Sequence, residues 1–164
     1  MCIGLLQIRS RDITGKGLLS VSNENTSGPT GKQGSSFVID GDVSTKFFCP
    51  DYNDNFWIKL KFDEPLAVDA YTLTSANDRP DRDPRTWQLQ ASVDGQTWIA
   101  LDSRENYIFT DRLTEGYFEV DHEGGSDDGN AGQHTFQYYR LHITQNNGGG
   151  SQFQLAELRL LQYY

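Results

Sequence analysis

The chain has 164 residues, 14 basic and 23 acidic side chains, and a formal net charge of −9. That length suits one domain with a real core. Such acidity excludes nucleic acid and anionic membrane as main partners, since both select a basic surface. No run approaches the roughly 18 consecutive apolar residues of a membrane-spanning helix.

Met1–Leu6 is apolar but too short for a signal peptide, and no cleavage pattern follows, so any export signal is expected outside these residues. Residues 1–16 fit the later pattern least and read as an N-terminal extension to a domain over 17–164. Cys2 and Cys49 are too few for a disulfide framework and have no CxxC spacing. A bridge, a lipid-modified Cys2 and two free thiols all stay open.

From Leu18 onward the dominant period is two, and no long helical stripe occurs. Leu18–Ser22 is the first expected strand, and Ser35–Ile39 suits a short helical turn. Phe56-Trp57-Ile58-Lys59-Leu60-Lys61-Phe62 puts Phe56, Ile58, Leu60 and Phe62 on one face and Trp57, Lys59 and Lys61 on the other. Ala67–Thr74 follows. Trp87–Val93 alternates as strictly, and Asp94-Gly95 supplies the turn of a hairpin that returns over Thr97–Leu101. Tyr117–Val120, Gln137–Thr144 and Gln154–Leu161 complete about eight antiparallel strands. Gly124–Gly132 and Asn146–Gly150 read as Gly-rich connections. The pattern is an all-β, single-domain sandwich or jelly roll.

Carboxylates crowd the turn Val38-Ile39-Asp40-Gly41-Asp42-Val43-Ser44-Thr45-Lys46-Phe47. Such a turn can hold a hard cation such as calcium, which takes about six to eight oxygens. It can equally be a solvated Asx turn. Asp51-Tyr52-Asn53-Asp54-Asn55 imitates the opening of an EF-hand loop, but Phe56 stands where that loop needs Gly, which rejects it. Asn25-Thr26-Ser27 fits an N-glycosylation acceptor. No GxSxG, HExxH, phosphate-binding or dinucleotide motif occurs, and the three histidines lack metal-ligand spacing. No enzyme is expected.

Five segments in order carry a resemblance. Ile39-Asp40-Gly41-Asp42-x-x-Thr45-Lys46-Phe47 resembles the Asp-Gly-Asn/Asp-x-x-Thr-x-Trp signature of discoidin-like domains, the coagulation factor 5/8 C-type, within the galactose-binding-domain-like class. Phe56–Leu60 resembles the family's Trp-containing strand, and Ser92-x-Asp94-Gly95-x-x-Trp98 its hairpin. Tyr139-Arg140-Leu141-x-Ile143 and Leu155-Ala156-Glu157-Leu158-x-Leu160 resemble its last two strands. Ser75-Ala76-Asn77-Asp78 with Arg82-Asp83-Pro84-x-x-Trp87 is similar to a bacterial branch, the family-32 carbohydrate-binding modules.

The resemblance implies a β-sandwich with one structural calcium. Its carried-over ligands are Asp40 or Asp42, Thr45 and Glu157, with backbone oxygens near Phe37 and from Ala156. Glu157 lies in an otherwise apolar strand, where an unpaired carboxylate is costly. A cation would explain it, and an Arg partner such as Arg140 is the alternative. The resemblance also implies a non-catalytic module that binds glycan and targets a parent glycan-degrading enzyme or surface protein. Its setting would be secreted, periplasmic or cell-surface. The sugar site would lie on end loops, with Phe48, Tyr52 and Phe153 as platforms and Asn77, Arg79, Arg82, Asp83 and Asn147 as hydrogen-bonding partners. Galactose-binding members carry a His where Phe48 and Cys49 stand, so galactose specificity is not implied. A protein–protein adhesion or scaffolding module of the same fold is the alternative function.

Overall fold

The computed structural model describes residues 8–122 and 134–164. Met1–Leu6, with Cys2, and the whole Gly124–Gly132 connection therefore lie outside the described residues. In chain order the strands are β1 (Ser10–Asp12), β2 (Leu18–Val21), β3 (Phe47–Cys49), β4 (Phe56–Ala67), β5 (Ala70–Thr74) and β6 (Pro84–Ser92). They continue with β7 (Ile99–Arg104), β8 (Glu115–Glu119), β9 (Thr135–Asn146), β10 (Phe153–Leu155) and β11 (Glu157–Tyr163). The only helical elements among the described residues are three short 3-10 turns, one of them Ser35–Ile39 as expected. None is long and apolar enough to cross a membrane.

Two antiparallel sheets form the sandwich: β1-β11-β5-β8, and β2-β4-β9-β6-β7. A two-stranded ribbon, β10-β3, closes one end. The inward residues read from the alternation are buried: Phe56, Ile58, Leu60 and Phe62 on β4, and Trp87, Leu89 and Ala91 on β6. Each large ring removed from water contributes about 2–3 kcal/mol, which outweighs the cost of ordering it. Trp87 also keeps its polar handle satisfied. Its Nε1 donates to the Tyr71 hydroxyl at 2.9 Å, which donates to Asp102 at 2.6 Å.

The structure corrects several of the expected elements: Phe47–Cys49, read as turn and loop, is a strand, and β4 runs on to Ala67, where a separate strand over Ala67–Thr74 was expected. The last expected strand, Gln154–Leu161, breaks at Ala156, so that β10 joins the ribbon and β11 joins the four-stranded sheet. Residues 10–14, read as part of an extension, belong to the sandwich. β1 pairs with β11, Ile13 is fully buried, and the Thr14 hydroxyl accepts from the Leu160 amide at 2.8 Å.

Candidate functional site

The β3–β10 ribbon is short, but its alternation is clear. Phe47 and Cys49 point into the core, where Phe47, Phe56, Phe153 and Tyr52 pack as a ring cluster with centroids 4.8–6.4 Å apart. Tyr52 and Phe153 are thus core residues, at 6% and 0% exposure, and cannot serve as sugar platforms. Phe153 opens a three-residue strand and Tyr52 lies in the loop between β3 and β4, and neither segment has a readable period, which is why the sequence did not reveal their burial.

The other face of the ribbon carries Phe48, half-buried, with Gln154 directly across from it. The loop after β5 covers this face. Arg82 lies over the Phe48 ring at 4.7 Å, a cation–π contact. Lys46 bridges Asp78 at 2.7 Å and the Gln154 side-chain oxygen at 3.0 Å. Gln154 in turn donates to the Asp78 carbonyl. Lys46 and Gln154 pull Asp78 below the usual carboxylate range, partly opposed by burial.

Three of the expected ligand residues are spent on holding this loop. Asp83 is buried and takes a bidentate ion pair from Arg112, at 3.0 and 2.5 Å. Asn147 donates to the Pro80 carbonyl at 3.0 Å and accepts from Arg85. Arg79 forms a two-point contact with Asp81, 2.9 and 3.0 Å, on the surface. The loops 79–83 and 146–150 therefore do meet, with Asn147 and Gly148 amides donating to Asp83 and Asp81 carbonyls. Their polar groups mostly satisfy one another.

What stays open is a cleft of about 340 Å³ beside the ribbon. Lys32, Gln33, Phe37, Lys46, Asn77 and Asp78 line it, and Ser44 and Thr45 form the wall it shares with the Asp-Gly-Asp turn. Asn77 is thus the expected partner that the fold leaves exposed in a recess, with Arg82 and Phe48 on the adjoining surface. Sequence reading missed Lys46, Gln154 and Arg112. Lys46 stood within a recognised motif, but nothing local marks Arg112, 29 residues from its partner.

On the far side of that wall, the expected metal residues gather. The Gly41 amide, in a turn with φ 77° that suits glycine, donates to Glu157 Oε1 at 3.0 Å across 116 residues of chain. Asp40 accepts from the Thr45 hydroxyl at 2.5 Å and from the Asp42 amide. Asp42 turns away and caps Ser44, at 2.6 and 2.8 Å, which lowers its carboxyl below the ordinary value. The Ala156 amide is committed to the Thr74 carbonyl. Glu157 is 1% exposed, and its Oε2 is buried with no hydrogen-bond partner. Burial first, and then the neighbouring Asp40, push its pKa up to about 8. Arg140 is not its partner. That guanidinium donates to Gln90 at 2.6 Å and lies 4.2 Å over Trp98.

An orphaned carboxylate oxygen beside a second carboxylate and a hydroxyl fits a hard cation. No group of three or more His, Cys, Asp or Glu converges among the described residues, so neutral oxygens would have to complete the shell. The remaining sequence features are structural. Cys49 is buried and its thiol is pushed up to about 11 by that burial. Asn25 of the possible glycosylation acceptor is buried, with its amide donating to the Phe48 carbonyl at 2.7 Å. His142 meets Asn55, and His122 meets Asp69.

A two-sheet antiparallel sandwich with a polar cleft beside its end loops has the fold of family-32 carbohydrate-binding modules. The F5/8 type C domain family matches residues 20–158, and the chain belongs to that family. Similar solved structures include the family-32 module of Clostridium perfringens NanJ in complex with galactose, at 11% identity and TM-score 0.69, covering 94% of this chain and 100% of that one. A second, CpGH89CBM32-5 of the same organism with GalNAc-β-1,3-galactose, has 15% identity and TM-score 0.68, covering 90% and 96%. A third is chitosan-binding module 1 from a Paenibacillus chitosanase/glucanase, at 16% identity and TM-score 0.63, covering 94% and 98%. Among curated proteins, 86 residues are 34% identical to a peptide-N(4)-(N-acetyl-beta-glucosaminyl)asparagine amidase of Arabidopsis thaliana. That stretch is 51% of this chain and 12% of the amidase.

Proposed function

We propose that the protein is a non-catalytic module that binds glycan in the Lys46–Asn77–Asp78 cleft and carries a larger secreted or cell-surface protein to it. The observation that carries this reading is the cleft itself. Planar polar groups on an exposed recess, pre-ordered by the Asp83–Arg112 pair, suit the hydroxyls of a sugar. Its lining is polar but for one half-buried ring, Phe37, and Phe48 stands outside it beneath Arg82. Recognition is therefore mainly polar, and the desolvation of those groups keeps binding at about micromolar to millimolar Kd. The likeness to a chitosan-binding module, and the partial match to an N-acetyl-glucosaminyl-asparagine amidase, support glucosamine-type glycans as the first candidates. The missing His places galactose lower. A single calcium at Glu157, Asp40 and Thr45, completed by backbone oxygens, is the staple of the same end.

A glycan array followed by calorimetry tests the reading. Binding of a glucosamine-type oligosaccharide is expected, weakened about tenfold by Asn77→Ala through the loss of one or two hydrogen bonds. No response to any glycan at millimolar concentration would sink it. The burial of Tyr52 and Phe153 favours adhesion to a protein as the second reading, which predicts that silence.

A further inference from the structure

The solvent face of the five-stranded sheet has a composition that the fold does not require. On β4, Trp57, Lys59 and Lys61 point away from the core. On the neighbouring β9, His142, Arg140 and Tyr138 stand directly opposite them. The flanking positions are Leu18 and Ser20 on β2, and Gln88, Gln90 and Ser92 on β6. No carboxylate occupies any of these registered positions. Asp94, in the adjoining hairpin turn, is committed to the Gln96 and Thr97 amides.

The cations on this face are held by rings instead of by acids. Lys59 Nζ lies 4.8 Å from the Trp57 ring centre, Arg140 lies 4.2 Å over Trp98, and Lys61 Nζ lies 5.7 Å from Tyr138. Among the described residues, Lys59, Lys61 and Arg140 form no ion pair, although acidic side chains outnumber basic ones 23 to 14. Lys59 faces Arg140 directly, and like charges opposite one another destabilise a sheet. Stability alone gives no reason for that arrangement.

We propose that this face is a second binding surface, independent of the cleft, that takes an acidic polysaccharide carrying carboxylate or sulfate groups. The sheet presents its cations on a grid, with strands ~4.8 Å apart and same-face residues ~6.7 Å apart along a strand. An extended polymer with regularly repeated anions can engage several at once, whereas an isolated anion meets only one or two. The rings are already covered on one face by the protein's own cations. That disfavours single-stranded nucleic acid, whose binding relies on bases stacking on free rings.

Affinity electrophoresis of the full chain through gels containing polygalacturonate, chondroitin sulfate or neutral galactan tests this, with oligo-dT as a fourth arm. Retardation is expected in at least one acidic gel, decreasing as salt is raised because the contacts are charged and exposed. The two acidic arms distinguish carboxylate from sulfate. Lys59→Gln/Lys61→Gln should weaken that retardation by roughly tenfold, and Asn77→Ala should leave it intact, which separates this surface from the cleft. If the double variant has a lowered melting temperature, the exposed single change Lys61→Glu replaces it. Failure of both acidic polymers to retard the protein, retardation indifferent to these lysines, or equal lysine-dependent binding of oligo-dT would each overturn the proposal.

Discussion

Asp83 and Glu157 are the two carboxylates buried among the described residues, at 2% and 1% exposure, and the fold treats them oppositely. Asp83 receives both arms of the Arg112 guanidinium. Glu157 receives one backbone amide and leaves one oxygen without a partner. Both carboxyls have raised pKa values through burial, but Arg112 opposes the shift at Asp83, while Asp40 adds to it at Glu157. A buried charge without full compensation costs several kcal/mol and recruits a proton or a cation. One carboxylate is therefore a closed clamp, and the other is a site waiting for a positive charge.

The largest effect should come from breaking the closed pair. Arg112→Ala leaves Asp83 buried and unpaired, at an expected cost of about 3–5 kcal/mol, or a fall of roughly 10 °C in Tm. Adding Asp83→Asn should return part of it. A loss below ~1 kcal/mol in chemical denaturation would show that the pair is not what holds the loop over the ribbon.

At the open carboxylate, calcium should raise stability by about 2.7 kcal/mol at a hundredfold excess over its Kd, because the unfolded chain cannot assemble the same oxygens. Chelation should reverse the gain, magnesium should substitute poorly, and Glu157→Gln should abolish most of the response. Identical melting curves of demonstrably metal-free protein with and without calcium would remove the cation and leave a protonated Glu157.

The third contrast is in pH. A metal-free fold that raises Glu157 from 4.5 to about 8 binds a proton that the unfolded chain has released. The stabilisation is full below pH 4.5 and lost as pH rises through about 8. The slope between them is about −1.4 kcal/mol per pH unit. Glu157→Gln should flatten that slope, and this separates it from the smaller contribution of Asp83. Calcium should flatten it too, since the ion replaces the proton. A wild-type stability that rises with pH across this window would contradict the orphaned oxygen.

How much of this was legible depended on range. Alternation over seven residues marked β4 and β6, and Asp94-Gly95 marked their hairpin neighbour, because side-chain period and turn preference are properties of adjacent residues. The five ordered motifs were likewise local, and they sufficed for the family. The strand break at Ala156 was hidden, since strand-forming apolar residues stand on both sides of it, Phe153 and Leu155 before and Leu158, Leu160 and Leu161 after. Residues 10–14 were hidden as well, because a three-residue edge strand carries almost no period of its own.

The candidate site divides along the same line. The sequence by itself determined that the end loops are rich in Asn, Asp and Arg, and that Glu157 sits among apolar neighbours. It could not say which of those groups were spent. Only the tertiary structure gave Asp83 to Arg112, Asn147 to Pro80, and Tyr52 and Phe153 to the core, and so left Asn77 and Asp78 facing a cleft. A hydrogen bond or ring contact between residues 29 to 116 positions apart depends on which strands the sheet makes neighbours. That pairing is fixed by the packing of the whole sandwich and leaves no periodic trace in either segment.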